Sequence, residues 1–409
     1  MAVLQNKDKS IVRELAKQYM ARVCSERQEK MLERFRNTND LKLVRPPLLM
    51  DEIPWYQMNI DGELTCLCED AKAREAEMFF RRALYYMKHF KADNTFEPFF
   101  RIQRAVDSTG IGVQPKDADL KRTDSINNIV SREYEDVLED EAVLEQMHDP
   151  VFTLRPDKDA ANIEFYTELF GDAIPIRLYG FGYLYHAAWD KITRYRGVEP
   201  IMIDFYDRPE YLHKIITKFT SAALAQLDFI EKNLDVDNPL SLHCTPGIVS
   251  GLGESGLKST WCRSMAQSFG IISPDMFKEF EVDYLIPLAK RFAYTYYGCC
   301  EALDDKIDVL KRIPNLRKIG CSPWANVEKC AEQIGGDYVL SRKPNPANVA
   351  ISTDPEIIRR ETEETVKACI KHNCPYDITL KDISTVSHRP ENLILWADTV
   401  SSVLDEYYG

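Results

Sequence analysis

Two thiols and a carboxylate follow one another in Tyr297-Gly298-Cys299-Cys300-Glu301, where an apolar stretch of strand length meets a loop. Alternation along a strand would put Tyr297, Cys299 and Glu301 on one face. A thiolate with a carboxylate or a histidine is a ligand set that zinc prefers, and an open coordination position would make such a site catalytic. The alternative is that both cysteines are small buried hydrophobes. A second stretch ends in Ser241-Leu242-His243-Cys244, and His243, one of seven histidines, offers either a ligand or a substrate contact. Leu380-Lys381-Asp382 sets a cation and a carboxylate just before a turn. Neighbouring strand residues point to opposite sides, so only one of these two is expected to face a cavity. Arg342 and Lys343 are cations that either hold a phosphate or carboxylate group or form a solvated basic loop. Asp51, Glu52 and Glu97 add carboxylates suited to acid–base work. The candidate proton-handling groups are thus Tyr297, Glu52 and Asp382. Candidate substrate contacts are Glu97, His243, Arg342, Lys343 and Lys381, and candidate metal ligands are Cys299, Glu301 and His243. Cys321 and Cys330 read as core.

These residues need elements to position them. Short apolar segments at 47–50, 95–100, 174–179, 240–244, 292–299, 317–322, 337–341 and 378–382 alternate with amphipathic stretches, of which 209–233, 274–291, 326–334 and 355–372 are the clearest helices. Pro209, Pro274 and Pro355 open three of them, at a first helical position where a missing N–H costs nothing. Eightfold alternation predicts a (β/α)8 TIM barrel, with a doubly wound sheet as the alternative, and polar residues at the strand C-termini then share one cavity. Residues 1–43 read as an N-terminal helical arm and 44–409 as the barrel, with a helical insertion over about 103–173 that lids the active face.

Composition narrows the class. The 409 residues are 44% hydrophobic and 29% charged, enough for a large core, and 52 basic against 65 acidic side chains leave a net charge of −13. That balance opposes a nonspecific grip on nucleic acid. No apolar run is long enough for a membrane span, and the N-terminus lacks a basic region followed by an apolar stretch. The expectation is a cytoplasmic protein whose eleven cysteines are reduced. There is no GxxxxGK[ST], HExxH, CxxC or GxSxG motif, and the glycine-rich 251–256 reads as a flexible loop.

The run 266–280 (AQSFGIISPDMFKEF), the YGCCE element at 297–301 and Ser387-His388-Arg389-Pro390-Glu391-Asn392-Leu393 together resemble the uroporphyrinogen decarboxylase superfamily. The likeness is strongest from about residue 260 onward. It implies a barrel with its site at the strand C-termini, and either porphyrinogen decarboxylation or corrinoid-linked methyl transfer. Decarboxylases of the superfamily carry an arginine-rich element after the first strand; here Leu49-Met50-Asp51-Glu52-Ile53-Pro54-Trp55 is acidic. The resemblance is therefore nearer to the methyltransferases, with a small-molecule substrate, a tentative zinc ion, and cobalamin carried by a partner corrinoid protein. In their thiol-methylating branch zinc is held by H-x-C and a distant Cys. Tyr297 stands where the His would be, Cys299 matches the first Cys, and Asp382 falls about where the distant Cys would be. A metal-free decarboxylase using Arg342 and Lys343 is the alternative, and a homodimer is allowed for.

Overall fold

Among the described residues, seven short strands lie side by side in one curled parallel sheet. The computed structural model describes residues 4–119, 132–351 and 354–409. The first three residues of the expected arm and residues 120–131 of the expected insertion lie outside that range. In chain order the strands of this sheet and of one further parallel pair are β1 (Leu48–Met50), β2 (Phe100–Gln103), β3 (Ile176–Tyr179), β4 (Leu184–His186), β5 (Trp261–Ser264), β6 (Tyr294–Tyr297), β7 (Leu316–Cys321), β8 (Val339–Arg342) and β9 (Tyr376–Leu380). The insertion expected to be helical holds, among its described residues and besides its helix Pro156–Phe170, four short strands in antiparallel pairs, Val106–Ser108 with Phe152–Leu154 and Asp117–Asp119 with Arg132–Tyr134. The sheet runs β1-β9-β8-β7-β6-β5-β4, and β2 and β3 pair in parallel as a separate ribbon.

The sheet therefore resembles an incomplete barrel, and the expected closed ring of eight strands is corrected in two places. The 240–244 segment is no sheet strand: it lies inside the curl, and Trp261–Ser264 takes the fourth position. The 95–100 strand is displaced to Phe100–Gln103 and does not pair with β1. Side chains cover the free edge of β1 instead. Asp93 Oδ2 accepts from the Leu48 amide at 2.8 Å, and the Asn94 amide group bonds both the N–H and the C=O of Met50. An edge satisfied this way offers little to a foreign strand.

The break between β3 and β4 falls at Gly180-Phe181-Gly182. A Cβ on Gly180 would stand 2.7 Å from the Asp235 carbonyl oxygen, so only glycine lets 234–237 cross here.

The helices include α1 (Asn6–Val23), α2 (Glu26–Asn39), α3 (Ala71–His89), α4 (Pro156–Phe170), α5 (Ala188–Arg196), α6 (Pro209–Asn233), α7 (Val327–Ile334), α8 (Pro355–Lys371) and α9 (Glu391–Tyr408). The arm is helical as expected, but is split at Cys24-Ser25, where Ser25 caps α2 by accepting from the Gln28 amide. Val12, Ala16 and Tyr19 of α1 bury against Ala76, Phe80 and Phe170, forming a second apolar core beside the main one.

Alternation divides the sheet into two faces. Ile319, Leu340, Ile378 and Leu380 point outward into the main core under the helices. Tyr296, Lys318, Ser341 and Asp377 take the intervening positions, all fully buried, and meet inside the curl. Lys318 Nζ lies 2.6 Å from Asp377 Oδ2 and donates to Thr245 Oγ1 at 3.0 Å. Ser341 donates to Asp377 at 2.6 Å and accepts from Tyr296 at 3.1 Å. Residues 240–249 plug this interior, held by the Asn39 amide on the carbonyls of Pro246 and Ile248 and by Trp261 Nε1 on Gly247.

Candidate functional site

Five of the sequence candidates, Glu52, Lys381, Asp382, Cys299 and His243, meet above the interior network, at the C-terminal mouth of the sheet. Lys381 leaves the end of β9 on the inward side, and its Nζ lies 3.0 Å from Cys299 Sγ, 3.5 Å from Glu52 Oε2 and 3.3 Å from Asp382 Oδ1. Only one of Lys381 and Asp382 was expected to face the cavity, and Asp382 joins Lys381 there. Its backbone is left-handed (φ 57°), which swings the chain round and brings both neighbours to the mouth. Cys300 Sγ donates to Asp382 Oδ2 at 2.8 Å, and the Asp382 amide donates to Glu52 Oε2 at 3.0 Å.

Glu52 (φ 53°) and Cys244 (φ 66°) share that conformation. Such positions cost non-glycine residues about 1–3 kcal/mol each and cluster where function demands a particular side-chain direction. Gly298 (φ 98°) is the fourth left-handed residue here. A Cβ on it would come within 2.4 Å of Leu303, while the reciprocal Cβ on Gly320 would come within 2.8 Å of the Gly298 carbonyl carbon. This close approach of β6 and β7 also breaks the alternation on which Tyr297, Cys299 and Glu301 were expected to share a face.

Cys299 accordingly turns inward and Tyr297 outward. Tyr297 is fully buried and donates to Glu281 Oε1 at 3.1 Å, outside the cluster. Glu301 turns back on its own loop, where it accepts from the Cys299 amide at 2.9 Å. Burial pushes its carboxyl up to about 7. As placed, Glu301 orients the Cys299 loop and leaves the expected ligand position to others. Glu97 is also elsewhere: Arg101 takes both of its oxygens, and the Leu240 amide donates to Oε1. Arg342 points outward to the Ser322 carbonyl and Glu361. Lys343 points inward but donates to Ser341 at 2.6 Å, within the interior network.

The thiols are not equivalent. Hydrogen bonds from Cys244 and Cys300, aided by His243 and the Arg263 charge, outweigh burial and hold the Cys299 thiol far below its ordinary range. The same bond to Cys299, then burial, push Cys244 and Cys300 up. Of the three thiols, Cys299 is thus the one whose ionised form its neighbours favour. Lys381 is correspondingly raised: burial lowers it, but the surrounding sulfurs and the bond to Cys299 prevail. Burial pushes Glu52 up, with Lys381 opposing and Asp382 reinforcing, so this carboxyl is the one suited to holding a proton. Arg263 is fully buried over the Tyr296 ring at 3.8 Å, and one of its terminal nitrogens has no hydrogen-bond partner.

A metal-ligand constellation is also present, and it differs from the expected one. The ligand atoms of Asp51, His243 and Cys244 all lie within 4.8 Å of one another. One carboxylate, one imidazole and one sulfur suit a zinc ion with an exchangeable fourth position. Of the three, only His243 was among the expected ligands. Cys244 was adjacent to it, and Asp51 directly follows the first strand, so position at a strand end was the available signal. The Tyr185 ring packs edge-on against His243 at 5.2 Å and limits its orientation. Next to the cluster, Glu52 and Asp382 form one side of a cavity of about 680 Å³ whose other walls include Trp55, Tyr56, Leu64, Met78 and Ile383. That volume accommodates a small organic molecule.

No family model matches the chain, and no curated protein matches it in sequence. Among solved structures, the fold is similar to that of a methyltransferase from Methanosarcina mazei, with a TM-score of 0.51 over 93% of this chain and 99% of that one. Sequence identity is 13%, so the likeness concerns the fold. Among the described residues no helix is long and apolar enough to cross a membrane. All eleven cysteines are free.

Proposed function

We propose that this protein is a corrinoid-dependent methyltransferase, moving a methyl group between a small molecule in the mouth cavity and a cobalamin carried by a partner protein. The observation that carries the reading is the convergence of three cysteines, His243 and Asp51 at the strand C-termini of a fold shared with a methyltransferase. Methyl transfer needs a soft nucleophile or a polarised heteroatom, and sulfur, imidazole and carboxylate together can supply both. Asp51, His243 and Cys244 would hold a zinc ion, which supplies Lewis acidity toward the oxygen or sulfur that gains or loses the methyl.

The chain's own residues do the remaining work. Trp55, Tyr56 and Met78 exclude water from the apolar part of the substrate. Glu52, kept protonatable by burial, holds a proton at the cavity wall for a departing oxygen or sulfur. Lys381 fixes the position of Cys299 and offsets its charge. In the decarboxylase alternative, Arg342 and Lys343 would be needed at the mouth to bind carboxylates; both are engaged elsewhere, which favours methyl transfer.

Elemental analysis and corrinoid spectroscopy together test the proposal. About one zinc per chain is expected, lost in His243→Ala and Cys244→Ala. Methylcobalamin mixed with the protein and a panel of thiols and phenols should lose its methyl-corrinoid absorbance. Protein free of zinc that leaves methylcobalamin unchanged with every acceptor would overturn the reading.

A further inference from the structure

We propose that a second cavity, on the outer side of β4, binds a small organic anion, a phosphate or carboxylate head on an apolar body, with Lys191 and Arg194 taking the head. The cavity encloses about 540 Å³ between β4, α5, α6 and the start of the insertion. None of the thiols, His243 or Asp51 lines it; Tyr185 borders it and packs its ring against His243, and His186 lines it beside Lys191.

Charge is the first argument. In a chain with a net charge of −13, no carboxylate among the described residues lines this space, whereas His186, Lys191 and Arg194 all do. Lys191 and Arg194 are three residues apart on α5 and so share one helix face. Neither makes an ion pair with a described residue. Lys191 lies over the Phe219 ring at 5.6 Å and Arg194 over the Tyr134 ring at 6.0 Å, contacts that hold the chains in place without neutralising them.

The groups also disfavour one another's charge. Burial and then Arg194 lower Lys191, while burial and then Lys191 push His186 down to about 4. A bound anion would relieve this repulsion, and Gln114, Ser108 and Gln226 supply neutral hydrogen-bonding groups around it.

The walls supply the second argument. Phe152, Phe219, Leu184 and Ala223 line the space, so an inorganic ion would leave apolar surface wetted, whereas an anion bearing a ring or short chain would cover it. The inference does not depend on the proposed methyl transfer, because binding is read directly.

Titration calorimetry of the full chain at low salt with phenyl phosphate, benzoate, phenol and inorganic phosphate tests it. One phenyl phosphate or benzoate per chain is expected, the tighter of the two identifying the head, with phenol and inorganic phosphate at least about tenfold weaker. Lys191→Ala and Arg194→Ala should each weaken binding about tenfold, and the double variant about a hundredfold. Circular dichroism and melting temperature of each variant are compared with wild type, so that a loss of binding is read only in folded protein. Ala223→Trp, which fills the cavity and leaves the cations, should abolish binding while Cys244→Ala leaves it unchanged. Absence of saturable binding at millimolar phenyl phosphate, equal affinity for phenol, or wild-type affinity in the double variant would overturn the proposal.

Discussion

The interior of the curled sheet and its mouth are built from the same strands, a few residues apart, and both are rich in polar groups. They solve the problem of buried polarity in opposite ways. Inside, Lys318, Asp377, Ser341, Tyr296 and Thr245 form a closed set of bonds, buried from solvent. Burial pushes Asp377 up, yet Lys318 and Lys343 together pull it below the usual carboxylate range. At the mouth, by contrast, Glu52, Cys244 and Asp382 sit in left-handed backbone, the Cys299 sulfur is shared among several donors, and Glu52 and Asp382 are only half-buried. Polarity that is matched and sealed fixes a structure; polarity held in strained, unevenly protonated groups is available for chemistry.

The most severe test removes one partner from the sealed set. Asp377→Ala leaves the Lys318 ammonium buried without a counter-charge, and loss of a buried partner costs about 3–5 kcal/mol. Urea unfolding should show that loss, with part of it recovered in Asp377→Ala/Lys318→Met, which removes the Lys318 charge but leaves that of Lys343. If the single variant is as stable as wild type, the interior is not a closed electrostatic unit and the contrast with the mouth fails.

Glu281 lies between the two regimes: it is sealed, like the interior, but burial outweighs the Tyr297 hydrogen bond and pushes its carboxyl up to about 8. A group raised by folding gives stability that is present below its ordinary value near 4.5 and lost as pH rises through about 8. Its contribution should therefore decline from pH 5 to pH 8, by at most about 1.4 kcal/mol per pH unit. Glu281→Gln keeps the shape and the acceptor for Tyr297 but does not titrate. Thermal melts at pH 5 and pH 8 should lie closer together in this variant than in wild type. An unchanged gap would mean that Glu281 is ionised in the fold and satisfied, as Asp377 is.

The two regions also differ in how far they could be read from the residues. The apolar pattern placed the strand that ends at Leu380, and the caps and prolines placed Pro209–Asn233 and Pro355–Lys371, because those rules are local. The curled parallel sheet followed from strand–helix alternation. What escaped was nonlocal or lay in backbone outliers. Leu242, His243 and Cys244 have strand composition, yet long-range bonds from Asn39, Trp261 and Thr379 hold 240–249 as a plug. Tyr297 was assigned to the wrong face because Gly298 breaks the alternation, and Lys381 and Asp382 were not both expected at the mouth because the positive φ of Asp382 cannot be inferred from a non-glycine residue. The site candidates that converge come from strand ends, except His243, which the plug carries. Glu97 and Arg342, whose charges are consumed by Arg101 and Glu361, show that residue type alone does not reveal whether a group is already satisfied.

The smallest expected effect is the most direct probe of strain at the mouth. Asp382→Gly removes the Cβ from a left-handed position and should raise stability by up to about 1 kcal/mol in urea unfolding. It also removes the acceptor of the Cys300 thiol, one of the groups keeping that thiol raised. Cys300 should then ionise at lower pH and react faster with iodoacetamide near neutrality, as identified by peptide mapping. A gain in stability with a more reactive Cys300 would establish that the fold accepts strain at 382 to hold a carboxylate against the thiols, a trade-off with no counterpart in the interior network. If stability falls instead, Asp382 is a structural partner like Asp377, and the distinction between mouth and interior rests on the thiols alone.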